Sequence, residues 1–362
     1  MTLRPLLDRF KSRAVGAGPA PIGADFAAHR LNLVQASPRE GRWTLQAAVS
    51  VAYPAPRAEL LARPAELARF VAAALAAAPF HGRRVVSALP PGDVRILPMT
   101  VAVAQGQSEA QAVAKAAAEQ LGSEGGDAVL DYYHIRGADG DTGGRQVLVA
   151  SARKARVMAY LATLEAARLE PVALDIGPAA IARLLAAIHG SDIGQSVLLL
   201  NFGSARSYVT VIWGRRLMLD REIDFGEEQL AATLAAALDL PHDTAVRLLR
   251  EHGIGGAGTA QTELGRTMRE VLHPACLALA EELAHTQVYV ASRTRGSTIG
   301  RVYLNGSLAR YPDIQSRIGE LIDVPVHLLD PYEAFGADGR GDDGVGREIA
   351  LAAGLAIRRA NG

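Results

Sequence analysis

The stretch VLLLNFGSARSYVTVIWGRRL, beginning at Val197, carries an aliphatic run into a small polar corner and out again as a second apolar run. Asn201, Gly203, Ser204 and Ser207 gather at that corner, where a plain hairpin needs only the glycine. Hydroxyls, an amide and open backbone N–H groups at a tight turn are donors suited to an anionic oxygen, a phosphate above all. The same residue types also make an ordinary β-turn, so the corner alone does not separate the two readings. No other reactive chemistry accompanies it. The chain has no Gly-x-Ser-x-Gly nucleophile motif, no Walker lysine loop and no ligand spacing suited to a metal. The remaining polar residues have plainer roles. Asp175 in ALDIGP suits an N-cap for the helix after it, and His242 with Asp243 suits the same role further on. His29 and the HGRR turn at His81 read as solvated surface, and Asp25 alone would cap a turn after a buried strand.

Positioning such a corner takes a substantial scaffold. The 362 residues exceed what one hydrophobic core usually serves, which makes two lobes the expectation. With 38 basic and 38 acidic residues the chain carries no net charge, which argues against nucleic acid as the main partner. Its single cysteine, Cys276, rules out an internal disulfide, favours a reducing compartment and reads as a small core residue of a helix. No apolar run reaches the ~18 residues of a spanning helix. The opening MTLRPLLDRFKSR is short, basic and amphipathic, and reads as a tail rather than a membrane-surface anchor. It lacks the apolar stretch and cleavage site of a signal peptide.

Along the chain, IGADFAAHRLNLVQAS reads as a first strand, paired across the PREG turn with RWTLQAAVSVAYP. A helix starts at Pro64, VVSALP and VRILPM read as strands, and Ser108 caps another helix. AVLDYYHIR and RQVLVASAR flank the Gly-rich turn GADGDTGG as a hairpin. Helix, strand and helix come next, and after the connector GSDIGQ the order restarts with two or three antiparallel strands and the helix EEQLAATLAAAL. HDTAVRLLREHG is a helix stopped by Gly253, and a long helix runs through Val290. Strand, helix, strand and a terminal helix REIALAAGLAIRR close the chain. A repeated strand-pair-plus-helix order predicts a duplicated α/β protein with a cleft between its lobes.

In that order of segments the chain resembles the actin-like ATPase superfamily, specifically the PilM branch of type IV pilus assembly proteins, related to FtsA. GADFAAHRLNLVQ is similar to the family's G-x-D-x-G-S-S-x-x-K turn, and LLLNFGSARSYVTV to its second, Asp-containing phosphate turn. DFGEEQLAATLAAAL is similar to an F-G-G-x-x-L segment. VYLNGSLARYPDIQSRIGELIDVPVHLLDPYEAF is similar to the adenosine-side Gly-Gly turn, its helix and a strand ending in Asn-Pro-Phe. The resemblance implies a two-lobed, duplicated ribonuclease-H-like α/β fold with a small inserted subdomain. It divides the chain into a tail and linker at 1–21, an opening hairpin at 22–55, the insertion at 56–135 and the rest of the first lobe with connecting helices at 136–194. The second lobe then spans 195–300, and the adenosine-side turn with closing elements 301–362.

The site residues that the resemblance implies are Asp25, Ala27, Asn32, Asn201, Gly203, Ser204, Gly226, Gly306 and Ser307, with Asp25 the metal-side residue for ATP with Mg. Several depart from the pattern. Ala27 replaces a glycine, Ala28 and His29 replace serines, Asn32 replaces the lysine, Asn201 an aspartate and Ser307 a glycine. Loss of cation and close approach together predicts weak or absent nucleotide binding and little or no turnover, with residual hydrolysis open. The implied role is a non-catalytic cytoplasmic scaffold at a bacterial inner membrane. It would dock the short N-terminal cytoplasmic peptide of a PilN-like membrane protein, among other pilus or secretion components and with homo-oligomers open. The groove is expected beside the inserted subdomain, walled by VVSALP and VRILPM. The alternative is an active FtsA-like ATPase or a sugar-kinase-like enzyme. The ending GLAIRRANG continues what reads as a core helix, so recruitment through partners fits better than a C-terminal membrane helix.

Overall fold

The computed structural model describes residues 19–122, 127–134, 144–189, 196–213, 216–255, 258, 261–294, 296–336 and 346–358. The N-terminal amphipathic stretch at 1–13, most of the Gly-rich turn at 137–144, the connector at 190–195 and the loop at 337–344 lie outside the described residues. The chain divides into two compact units, one from Met1–Arg136, Gly140–Gly190 and Asp330–Gly362, the other chiefly from Ser191–Leu329.

The first unit is built on a five-stranded sheet. Strands β1 (Ile22–Phe26), β2 (Arg30–Arg39) and β3 (Arg42–Ala52) form an antiparallel meander, and β4 (Arg84–Leu89) runs parallel to β1. The residues 22–37, read from sequence as one strand, fold back at Ala27–His29 instead. No glycine, proline, asparagine or aspartate marks that turn, so the signals that reveal the next one, where Glu40 and Gly41 both take positive φ, are missing here. The fold-back sets Asn32 directly across from Asp25. Helices α1 (Arg57–Leu61) and α2 (Pro64–Ala76) cover one face, where Leu60, Leu67 and Val71 pack with Ile22, Leu31, Leu33 and Val85.

A smaller sheet with its own core comes next. Strands β5 (Val94–Val101), β6 (Ala128–His134) and β7 (Arg145–Arg153) make an antiparallel sheet in the order β5-β7-β6. Helix α3 (Glu109–Leu121), opened by a capping box between Ser108 and Gln111, lays Ala112, Val113 and Ala117 on Val147 and Val149. Helix α4 (Lys154–Ala166) then leads to β8 (Glu170–Ile176), which joins the larger sheet beside β4 in the order β3-β2-β1-β4-β8. The strand VVSALP is therefore paired on both sides, by β1 and β8, and has no open edge to wall a groove. VRILPM lies at an edge of the smaller sheet. Helix α5 (Gly177–His189) and the closing segment, a 3-10 turn at Arg347–Ile349 with α10 (Ala350–Ala356), cover the other face of the larger sheet. Their backbones come close because glycine permits it. A Cβ on Gly23 would stand 2.0 Å from the Ala352 carbonyl oxygen, and one on Gly354 2.2 Å from that of Ala180.

The second unit repeats the plan. Strands β9 (Ser196–Phe202), β10 (Ser207–Trp213) and β11 (Arg216–Ile223) are antiparallel, while β12 (Ile299–Gly306) and β13 (Val326–Leu328) run parallel to β9, in the order β11-β10-β9-β12-β13. Leu198, Leu200, Val209 and Val211 are buried in the sheet. Helices α6 (Glu227–Leu238), α7 (His242–His252), α8 (Glu263–Arg293) and α9 (Ile314–Gly319) pack around it, and Gly253 ends α7 at φ 68° as its sequence position suggests. The helix expected over YPDIQSRIGELI is confined to the six residues of α9. Pro241, not a side chain, occupies the N-cap of α7, and Asp243 sits in its first turn.

Candidate functional site

Each sheet turns back after its first strand at the corresponding place, and polar residues flank both turns. In the first unit Asp25 is the last but one residue of β1 and Asn32 the third of β2. Asn32, only 2% exposed, donates through Nδ2 to Asp25 Oδ2 at 3.0 Å. Its Oδ1 faces Ser50 Oγ at 2.7 Å across the β2–β3 register. Ser50 Oγ also accepts from Arg30 Nε at 2.8 Å and lies 3.1 Å from Glu348 Oε2. Arg30 Nε pairs with that same Glu348 oxygen at 2.6 Å. Arg30, two residues before the missing lysine position, is thus paired with a carboxylate of the closing segment. Ala27 directs its carbonyl to the Tyr53 hydroxyl, 3.1 Å away. Burial pushes the Asp25 carboxyl up to about 6, against the Asn32 hydrogen bond and the charge of Arg57, which both pull it down.

That shift has a measurable consequence. Folded Asp25 keeps its proton to about pH 6, whereas the unfolded chain releases it near its ordinary value of 3.8. The folded form binds more protons in between, so stability falls as pH rises through that window. Asp25→Asn removes the ionisation and is expected to raise stability at pH 8 by about 1–3 kcal/mol, with no gain below pH 4. Urea unfolding of both chains at pH 4, 6 and 8 reads this; equal stability at pH 8 refutes it.

In the second unit Asn201, Gly203, Ser204, Gly226, Gly306 and Ser307 come together at the ends of β9 and β12 and the start of α6. Asn201 stands opposite Asn305, whose Nδ2 donates to Asn201 Oδ1 at 3.0 Å. The Ser204 hydroxyl donates to Glu228 Oε1 at 2.8 Å, and Ser307 donates to backbone, through N to Phe202 O at 2.9 Å and through Oγ to Gly203 O at 3.2 Å. The glycines are demanded by packing. A Cβ would stand 2.1 Å from Arg206 O at Gly203, 2.5 Å from Ser204 O at Gly226 and 2.0 Å from Phe202 O at Gly306. Two carboxylates stand at the start of α6, Glu228 on Ser204 and Glu227 bonded to Tyr311 and 3.6 Å from Arg250. Among the described residues no group of three or more His, Cys, Asp or Glu could hold a metal ion.

A third feature lies beside the small sheet, where the sequence placed a groove; of the strands VVSALP and VRILPM only Leu89 and Val94 line it. An apolar groove in the first unit, with a cavity of about 150 Å³, runs between β6 and β8, and α4 borders it. Val129, Ala152 and Val157 form a buried patch there with Leu89, Leu161 and Leu174 packed on it, and Met158 at the rim is 44% exposed. Ala150, Asp131 and Arg358 also line it. Both β6 and β8 are terminal strands, β6 paired only with β7 and β8 only with β4 among the described residues. Asp175, expected as an N-cap, lies inside β8 before the helix begins, and pairs with Arg183 of α5 at 2.8 Å. The sequence signal for the groove is slight: in α4, Val157, Tyr160 and Leu164 make the core stripe, and half-buried Leu161 with exposed Met158 widens it on one side.

Two sheets with the same strand order and the same switch from antiparallel to parallel pairing, each turning back after its first strand with polar residues beside the turn, define a protein of the actin-like class. The chain belongs to the family of type IV pilus assembly protein PilM, whose model matches residues 23–360. It superposes on a chain of a PilM-PilN type IV pilus biogenesis complex with a TM-score of 0.74 and 24% identity, covering 94% of this chain and 98% of that one. It is similar to the ethanolamine utilization protein EutJ from Carboxydothermus hydrogenoformans, with a TM-score of 0.51, 14% identity and coverage of 98% and 96%. Among the described residues no helix is long and apolar enough to cross a membrane.

Proposed function

We propose that this chain is a non-catalytic scaffold of a type IV pilus assembly, held at the cytoplasmic side of the inner membrane by a PilN-like partner whose N-terminal peptide lies in the groove between β6 and β8. The observation that carries this reading is an apolar trough with a terminal strand on each side, the geometry of strand addition, in which backbone bonds give affinity and side-chain pockets give selectivity. The insertion, expected at 56–135, is in this reading the small sheet of β5, β6 and β7, since Leu60, Leu67 and β4 pack with the larger sheet. The solved PilM-PilN complex agrees with such a partner.

The nucleotide role is reduced in the same reading. In the two turns Arg30 is engaged by Glu348, Ser204 by Glu228, and Asp25 by the Asn32 amide that stands in the lysine position. In this reading the two turns no longer hold phosphate and magnesium for hydrolysis. Calorimetry on the full chain tests both halves. A synthetic peptide of the partner's N-terminal segment is expected to bind and to cross-link to a photoreactive group placed at Met158, while Mg·ATP gives no heat. Cross-linking no better than at exposed Ala205 refutes docking; micromolar ATP binding refutes the reduced site.

A further inference from the structure

The open side of β8 is already covered, and by side chains arranged as a strand would be. Ile176 N–H is taken by Asp175 Oδ1 at 2.8 Å, so it faces away from β4. Leu174, two residues earlier, shares that side, and its carbonyl accepts from Arg358 Nη1 at 3.3 Å. Arg358 Nε in turn lies 3.7 Å from Asp175 Oδ2. One donor to the carbonyl before Asp175 and one acceptor for the N–H after it are what a single residue of an added parallel strand supplies. Covering an edge in this way keeps it from pairing at random.

The two halves of the cover differ in strength. Asp175 is fixed by Arg183, which also donates to Gly354 O at 2.7 Å. Arg358 is held by long contacts only, comes from the end of the closing segment and has 27% of its side chain exposed. It is the removable half.

We infer that Arg358 is a displaceable cap on the β8 edge, a residue that restricts the groove to segments able to pair with Leu174 and Ile176 through their own backbone. The inference rests on the docking proposed above and adds to it the mode of binding and the residue that sets its stringency. A docking segment must take the Leu174 carbonyl from Arg358, so the cap weakens every ligand by the bond it surrenders. A poorly pairing segment fails to recover that loss.

The test uses the full chain and the same synthetic N-terminal peptide, with peptides N-methylated at one backbone position at a time. Arg358→Ala is expected to bind the parent peptide about three- to tenfold more tightly, the size of one modest hydrogen bond, and Arg358→Lys to bind close to the parent affinity. N-methylation is expected to abolish binding at alternate positions. Unchanged or weaker binding by Arg358→Ala, or tolerance of N-methylation throughout, overturns the inference while leaving docking intact. If the unmodified chain does not bind at all, docking itself fails, and the inference fails with it.

Discussion

Gly306→Ala is expected to unfold the second unit or to lower its melting temperature by more than 10 °C, while Gly296→Ala costs only a few degrees. Both glycines sit near φ +90°, so both substitutions carry the same left-handed strain, roughly 1–3 kcal/mol. They differ in space. Nothing lies within 4 Å of a Cβ at Gly296, whereas at Gly306 it would stand 2.0 Å from the Phe202 carbonyl oxygen, its partner in the last pair of the β9–β12 ladder. Backbone on both sides cannot yield without breaking the ladder, and the clash adds several kcal/mol of the kind that single core changes rarely reach. Thermal melts of the two variants separate strain from packing. Equal losses would mean that the Gly306 corner is looser than its contacts indicate, and that its glycine is not set by the fold.

Ala150→Arg is expected to weaken binding of the partner peptide by about a hundredfold or more, some 2.8 kcal/mol, without loss of fold. Ala150 lies on β7 two residues before Ala152, on the side that faces Val129 and Val157, and is only half-buried. A guanidinium there fills the groove and sets a charge on apolar surface that the peptide would otherwise cover. The long stem can carry its head to solvent in the empty protein, so folding is spared, but not once a peptide closes over it. Anisotropy titrations, with a thermal melt to verify folding, read the effect. Parent-like affinity in the folded variant would place the peptide elsewhere and remove the basis of the scaffold reading.

The order of elements was legible in the sequence, because apolar periodicity, a capping serine at Ser108, a stop at Gly253 and a restart after the connector are local signals. That order, with the similarity of whole segments, was enough to expect a duplicated actin-like fold. The polar corner at Asn201–Ser204 was legible too, since a glycine and a serine after an aliphatic strand stand out by type. What those residues do was decided elsewhere. Gly203 and Gly306 could serve a phosphate or a close backbone contact, and only the approach of Phe202 and Arg206 shows that contact occupies them. Ser204 meets Glu228, 24 residues on, and Arg30 meets Glu348, more than 300 residues on; no spacing rule joins such pairs. The turn at Ala27–His29 was invisible because its residues carry no turn chemistry, and with it the pairing of Asp25 to Asn32. The strands that wall the groove were hidden for a related reason: they are two terminal strands, and strand order in a sheet is fixed by long-range pairing. Types and local periods come from the chain itself, while edges, neighbours and the ownership of each hydrogen bond exist only once distant segments have packed.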